Sequence, residues 1–150
     1  MTHAAAGELD ALMAGYARAW HGSDPAQLRR FWDRGAEPVY LAEEIEETFI
    51  GWDEVEAYWA GNRELHAGVD LAFSGSRYVT VGEGLVLGVH RMDWSIRFTD
   101  RPAMGGDNRV AALFRHTGEG WRLSAWIEAP LAPIVYLRRL YEARAGRLGG

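Results

Sequence analysis

At 150 residues, with 48% hydrophobic and 25% charged content, the chain has the size and balance of one globular domain with one core. A formal charge of −5 argues against nonspecific binding to phosphate backbones, and the absence of Lys among the 16 basic residues excludes Schiff-base chemistry. No Cys is present, which removes disulfide and thiolate chemistry. The N-terminus lacks the basic-then-apolar order of a secretion signal, and no apolar run approaches bilayer length. A cytoplasmic protein with neither nucleic-acid nor membrane partners is therefore expected.

In chain order, "ELDALMAGYARAWH" repeats apolar residues at three and four and predicts a helix over 8–21. "GSDP" stops it, with Ser23 or Asp24 as the next cap and Pro25 in the first turn of a short helix, "PAQLRRFWDR". "VYLAE" predicts a short strand. A helix follows in "GWDEVEAYWAGNRELHA", with Asp53 as its cap and Val55, Tyr58 and Trp59 on one face. The period then changes. "DLAFSGSRYVTV" and "GLVLGVHRMDWSIRF" predict strands, "TDRPAMGGDN" a loop, and "RVAALFRH" and "WRLSAWIEA" a hairpin turning at "TGEG". A last helix over 130–146 carries Ile134, Leu137, Leu140 and Tyr141 on a stripe. Helices first and hairpin strands after make an α+β domain spanning 1–150, with an antiparallel sheet curved around the N-terminal helices.

Seven Trp, six Tyr and five Phe make the chain 12% aromatic, enough for a large core, an interface or an apolar pocket. Strand alternation sorts the long strand. Val86, Gly88, His90, Met92, Trp94, Ile96 and Phe98 share the face assigned to a pocket. His90 reads there as a general acid or base, or as a satisfied core imidazole. In the last strand Trp121, Leu123, Ala125 and Ile127 are assigned inward, and Trp126 and Glu128 to a covered outer face. In "VYLAEEI" the apolar parity of Val39, Leu41 and Ile45 carries Glu43 inward, with Glu44 as the one-residue alternative. A carboxylate beside an apolar pocket has the raised pKa that a C–H base needs, whereas a turn carboxylate in water does not. Glu46 and Glu47 read as solvated. The five His show no paired ligand spacing, so no metal is expected.

The order of elements, with "YARAWHGSDPAQLRRFW", "GWDEVEAYW" and "RVAALFRHTGEGWRLSAWIEA", resembles the nuclear transport factor 2-like superfamily, over about residues 8 to 128. That group includes ketosteroid isomerases, SnoaL-like cyclases and scytalone dehydratase. The resemblance implies a cone-shaped fold whose helices close a pocket and whose convex sheet face pairs in a homodimer. In ketosteroid isomerases the carboxylate base precedes the Gly-led helix by a short fixed interval. Counted back from Gly51, that interval lands on Ala42, with Glu43 next. Members often carry a His near the end of the last strand, where this chain has Ile127; the tail from Pro130 onward is absent from many of them.

The expected catalytic set is thus Glu43 as base with His90 or Tyr16 assisting, Tyr16 through a hydroxyl placed for an oxyanion. The expected pocket lining is Trp20, Trp32, Trp52, Tyr58, Trp59, Met92, Trp94, Leu123 and Ile127. No Gly-rich phosphate loop is present, so no cofactor is expected. Two functions fit: a small isomerase, dehydratase or cyclase acting on an apolar ring-bearing substrate, or a module that binds a small apolar ligand or dimerises without chemistry.

Overall fold

The computed structural model describes residues 2–131 and 133–148. Its elements run α1 (His3–Trp20), α2 (Pro25–Arg29), β1 (Val39–Leu41), β2 (Phe49–Ile50), α3 (Trp52–Leu65), β3 (Gly68–Gly82), β4 (Leu85–Arg97), β5 (Met104–Thr117), β6 (Gly120–Pro130) and α4 (Pro133–Leu148). Asp24 caps α2, accepting from the Ala26 N–H at 3.1 Å, with Pro25 just inside the helix. The expected cap of α3, Asp53, lies instead in its first turn, where a carboxylate complements the helix dipole. The chain enters α3 through Gly51, whose φ of 89° falls in the left-handed region that favours glycine.

The strands form one sheet in the order β2-β1-β6-β5-β4-β3. Its pairings are antiparallel except one: β1 lies parallel to β6, which corrects the all-antiparallel expectation. The cause lies upstream. The chain leaving α2 already runs alongside β6, where the Leu123 N–H donates to the Phe31 carbonyl and the Asp33 N–H to the Leu123 carbonyl, both at 2.8 Å. β1 continues in that direction. β5 begins at Met104, inside the stretch read as a loop.

α1 packs on the inner face of the sheet, chiefly against β3, and buries Leu9, Met13, Tyr16 and Trp20. Along β4 the expected inward set holds: Val86, His90 and Met92 are buried, while Val89 and Arg91 are exposed. β6 behaves differently. Leu113 pairs with Ala125 but Phe114 with Leu123, so Ser124 is an extra residue, a β-bulge. Leu123 faces inward before the bulge; beyond it Trp126 and Glu128 do, and Ile127 turns outward. The inward assignment of Ile127 and the outward one of Trp126 are corrected by this single inserted residue. β1 is corrected too. Tyr40, and Ala42 just past the strand end, are buried, because Tyr40 pairs with the inward Trp126.

Outside α4, a partly apolar outer face crosses the sheet through the paired positions Val79–Leu87, Val89–Ala111, Ala111–Ile127 and Ile127–Leu41. α4 is held to the sheet by Arg139, whose guanidinium lies 3.3–3.4 Å from the Asp107 carboxylate. Leu137, Leu140 and Tyr141 of the expected stripe are exposed; the side chain of Ile134 lies outside the described residues. Among the described residues no helix is long and apolar enough to cross a membrane.

Candidate functional site

A cavity of about 480 Å³, a volume suited to a small molecule, opens between α1, α3 and the inner face of the sheet. Trp20 of α1 and Tyr58 and Asn62 of α3 form one side; Leu71, Met92 and Trp94 of β3 and β4 form the floor. Tyr40 of β1 and Glu128 of β6 close the inner end, and Glu43 and Glu44 stand in the turn after β1. Gly106 pairs with Trp94 across the sheet, and a Cβ there would come within 3.0 Å of the indole. Glycine at this position leaves room for the Trp94 indole against β5.

Glu128 is the distinctive group. Its Oε1 accepts from the Trp126 indole N–H at 2.8 Å, and its Oε2 from the Glu43 backbone N–H at 3.1 Å and the Asn108 amide at 3.2 Å. Burial pushes its carboxyl up to about 7, the Trp126 and Glu43 N–H donors restrain the rise, and the nearby charges of Glu44 and Glu43 add to it. Asn108 is itself buried, on the β5 strand beside it.

At the mouth the Tyr58 hydroxyl donates to Glu44 at 2.5 Å. Burial raises the pKa of that hydroxyl, and the Glu44 charge raises it further, so Tyr58 keeps its proton. His66, at the end of α3, has its pKa lowered by burial, against an opposing pull from Glu44. Among the described residues no three His, Asp or Glu side chains are placed to hold a metal ion.

The structure brings together only part of the set expected from the sequence. Trp20, Tyr58, Met92, Trp94 and Glu43 line the cavity. Glu43 gets there from a turn rather than along a strand, since β1 ends at Leu41. Its backbone, not its side chain, makes the contact with Glu128. Tyr16 does not line the cavity. It is fully buried, edge-on to Trp20, Phe31, Trp32 and Trp126. Trp32, Trp59 and Leu123 are core residues, and Trp52 packs against Trp32 and Trp59 with Arg29 over its ring. Ile127 lies on the outer face. His90 sits among Phe73, Tyr78 and Phe114, with Nδ1 3.0 Å from the Ser76 hydroxyl, away from the cavity lining.

The group that sequence reasoning missed is Glu128, together with Tyr40 and Asn108. Its only signal was a carboxylate two residues beyond a Trp at a strand end, and alternation counted without the bulge turned both outward.

No family model matches the sequence, and no curated protein matches it. Solved structures do match. A nuclear transport factor 2-like superfamily protein from Salmonella enterica aligns with a TM-score of 0.77 at 12% identity, over 88% of this chain and 94% of that one. A candidate dehydratase of the same family from Streptomyces avermitilis gives 0.71 at 16% identity, covering 83% and 94%. A candidate scytalone dehydratase from Novosphingobium aromaticivorans gives 0.71 at 14%, covering 83% and 82%. The chain has the nuclear transport factor 2-like fold, with helices packed on an α+β sheet and a C-terminal helix added. At these identities the likeness defines architecture, and the chemistry must be argued from the site.

Proposed function

We propose that this protein is a cofactor-independent isomerase, dehydratase or cyclase acting on a small ring-bearing substrate, with Glu128 moving the proton. The supporting observation is a carboxyl held at the wall of a ligand-sized, largely apolar cavity with its pKa at about 7. Such a group is divided between base and acid near neutrality, where proton transfer in both directions is efficient. As carboxylate it takes a proton from the carbon α to a carbonyl; the C–H electrons pass into an enolate. As acid it returns that proton to another carbon, or to a departing hydroxyl. Oε1 carries one hydrogen bond against two on Oε2 and so has the lone pair to accept the proton. In this reading Glu43, the base expected from the sequence, positions Glu128 through its backbone N–H. Glu44 and Tyr58 form a polar pair at the mouth.

The test is hydrogen exchange in deuterated water. A panel of aromatic cyclic ketones should acquire deuterium at the α-carbon with the wild type and at least roughly a hundredfold more slowly with Glu128→Gln. Exchange no faster than in buffer across the panel would defeat the catalytic reading. A second reading, a binder without turnover, is favoured by Tyr58 occupying Glu44 and by the three donors that hold the Glu128 carboxyl. Saturable binding with no exchange selects it. The outer face is proposed to pair two copies: Val79, Val89 and Ile127 are 58%, 42% and 40% exposed on it. Sedimentation of a monomer at micromolar concentration would contradict that pairing.

A further inference from the structure

The charges lining the cavity are of one sign. Glu43, Glu44 and Glu128 face it, no Arg among the described residues lines it, and the sequence contains no Lys. His66 does not balance them, because burial lowers its pKa and keeps the imidazole neutral at neutral pH. Most of the remaining wall is π surface and apolar side chain: Trp20, Trp94, Tyr40 and Tyr58, with Met92 on the floor.

We propose that the ligand of this pocket is an organic cation, a flat ring system carrying a protonated amine. This rests on the reading of the cavity as a small-molecule site. The ammonium group lies against the rim carboxylates Glu43 and Glu44, beside rather than on Glu128, and the ring against Trp20 and Trp94. Three physical reasons converge. An ammonium donates charge-assisted hydrogen bonds to carboxylates, which are shorter and stronger than neutral ones. Ring faces attract cations, and more so in a partly desolvated site. The third reason separates cations from everything else. Glu43 and Glu44 stand in the lining beside Glu128 and their charges act against its ionisation, with no cationic side chain among the described lining residues, so a cationic ligand relieves repulsion that a neutral ligand leaves in place and an anion increases. Phosphorylated and carboxylated substrates are selected against by the same arrangement.

The proposal is tested with three ligands of matched shape: 2-(naphthalen-2-yl)ethylammonium, the corresponding alcohol, and 3-(naphthalen-2-yl)propanoate, titrated calorimetrically at neutral pH. The ammonium is expected to bind roughly tenfold or more tighter than the alcohol, and the carboxylate weakest. The ratio of ammonium to alcohol affinity, measured within each protein so that any general change in the pocket cancels, should shrink in Glu128→Gln and in the rim variant Glu44→Gln. Glu44 is exposed, so its variant keeps the test open if Glu128→Gln folds poorly. Equal affinities for alcohol and ammonium, or tighter binding of the carboxylate, would overturn the cation proposal and leave the pocket reading standing. Failure of all three to bind would overturn both.

Discussion

His90 and Glu128 occupy one rung of the sheet. His90 pairs with Val110, and Val110 with Glu128, so the two side chains leave the same inner face two strands apart, about 10 Å. His90 is buried and Glu128 half-buried at the cavity wall, and their protonation moves in opposite senses. Burial lowers the His90 pKa to about 4 and raises the Glu128 pKa to about 7. Burial penalises the charged form in each case; what differs is the company. His90 has a hydroxyl at Nδ1, a partnerless Nε2 and aromatic rings. Glu128 has three N–H donors and a cavity beside it. A buried group becomes chemically usable when donors keep its charged form within reach and space is left for a reactant. On this rung only the carboxyl meets both conditions.

The largest test of that contrast is chemical. Glu128→Gln preserves shape and an acceptor oxygen but removes the exchangeable proton. Turnover should fall by roughly 10² to 10⁴, the usual contribution of a positioned acid or base. Next is Trp126→Phe. The ring volume is partly kept, but the indole N–H on Oε1 is lost and a gap opens beside Tyr16 and Tyr40. A loss of about 1–3 kcal/mol in unfolding free energy is expected. With a donor gone, Glu128 titrates higher, so the basic form needed for turnover should appear at more alkaline pH. An unmoved pH profile would mean that Trp126 packs beside Glu128 without tuning it.

The pH dependence of stability separates the two groups further. Glu128 binds a proton in the fold that the unfolded chain releases between 4.5 and about 7. Its contribution is therefore complete below 4.5 and is lost as pH rises through about 7. His90 refuses in the fold a proton that the unfolded chain takes up between 6.5 and about 4. Its contribution is complete above 6.5 and is lost as pH falls toward 4. Over the overlap the two slopes oppose each other. In thermal melts compared with wild type, Glu128→Gln should steepen the rise of stability with pH, and His90→Leu should expose a fall. Parallel curves for both variants would remove the basis of the contrast.

β4 and β6 explain how much of this was legible from sequence. The inward set of β4 could be read because its pairing with β5 keeps register from Leu85 to Ile96, so alternation carries through. The same counting fails in β6 at Ser124, since a bulge depends on pairing with β5 rather than on the residues of β6 alone. β1 inherits the error, because its facing is set by the strand beside it. The aromatics divide for a similar reason. Helical periodicity places Tyr16, Trp20, Trp32 and Trp59 inward alike, and only packing decides that Trp20 meets empty volume while Trp32 meets Tyr16, Tyr40, Trp52 and Trp59. The fold was readable because it rests on repeated apolar spacing; the proton-carrying residue was not, because one inserted residue assigns it.

The smallest expected effect is that of His90→Leu on the reaction itself. The substitution removes one hydrogen bond, to Ser76, worth about 1 kcal/mol. It also removes a ring nitrogen that is buried without a partner, and it places apolar atoms against Phe73, Tyr78 and Phe114, which offsets the loss. Net stability at pH 7.5 should change by less than about 1 kcal/mol. Turnover should stay within about twofold of wild type, because an imidazole titrating near 4 donates no proton at neutral pH and this one does not line the cavity. A hundredfold loss of turnover in a variant that still melts normally would place His90 in the chemistry, reached by a motion that opens its aromatic enclosure, and the division of this rung into a structural and a reactive group would fail.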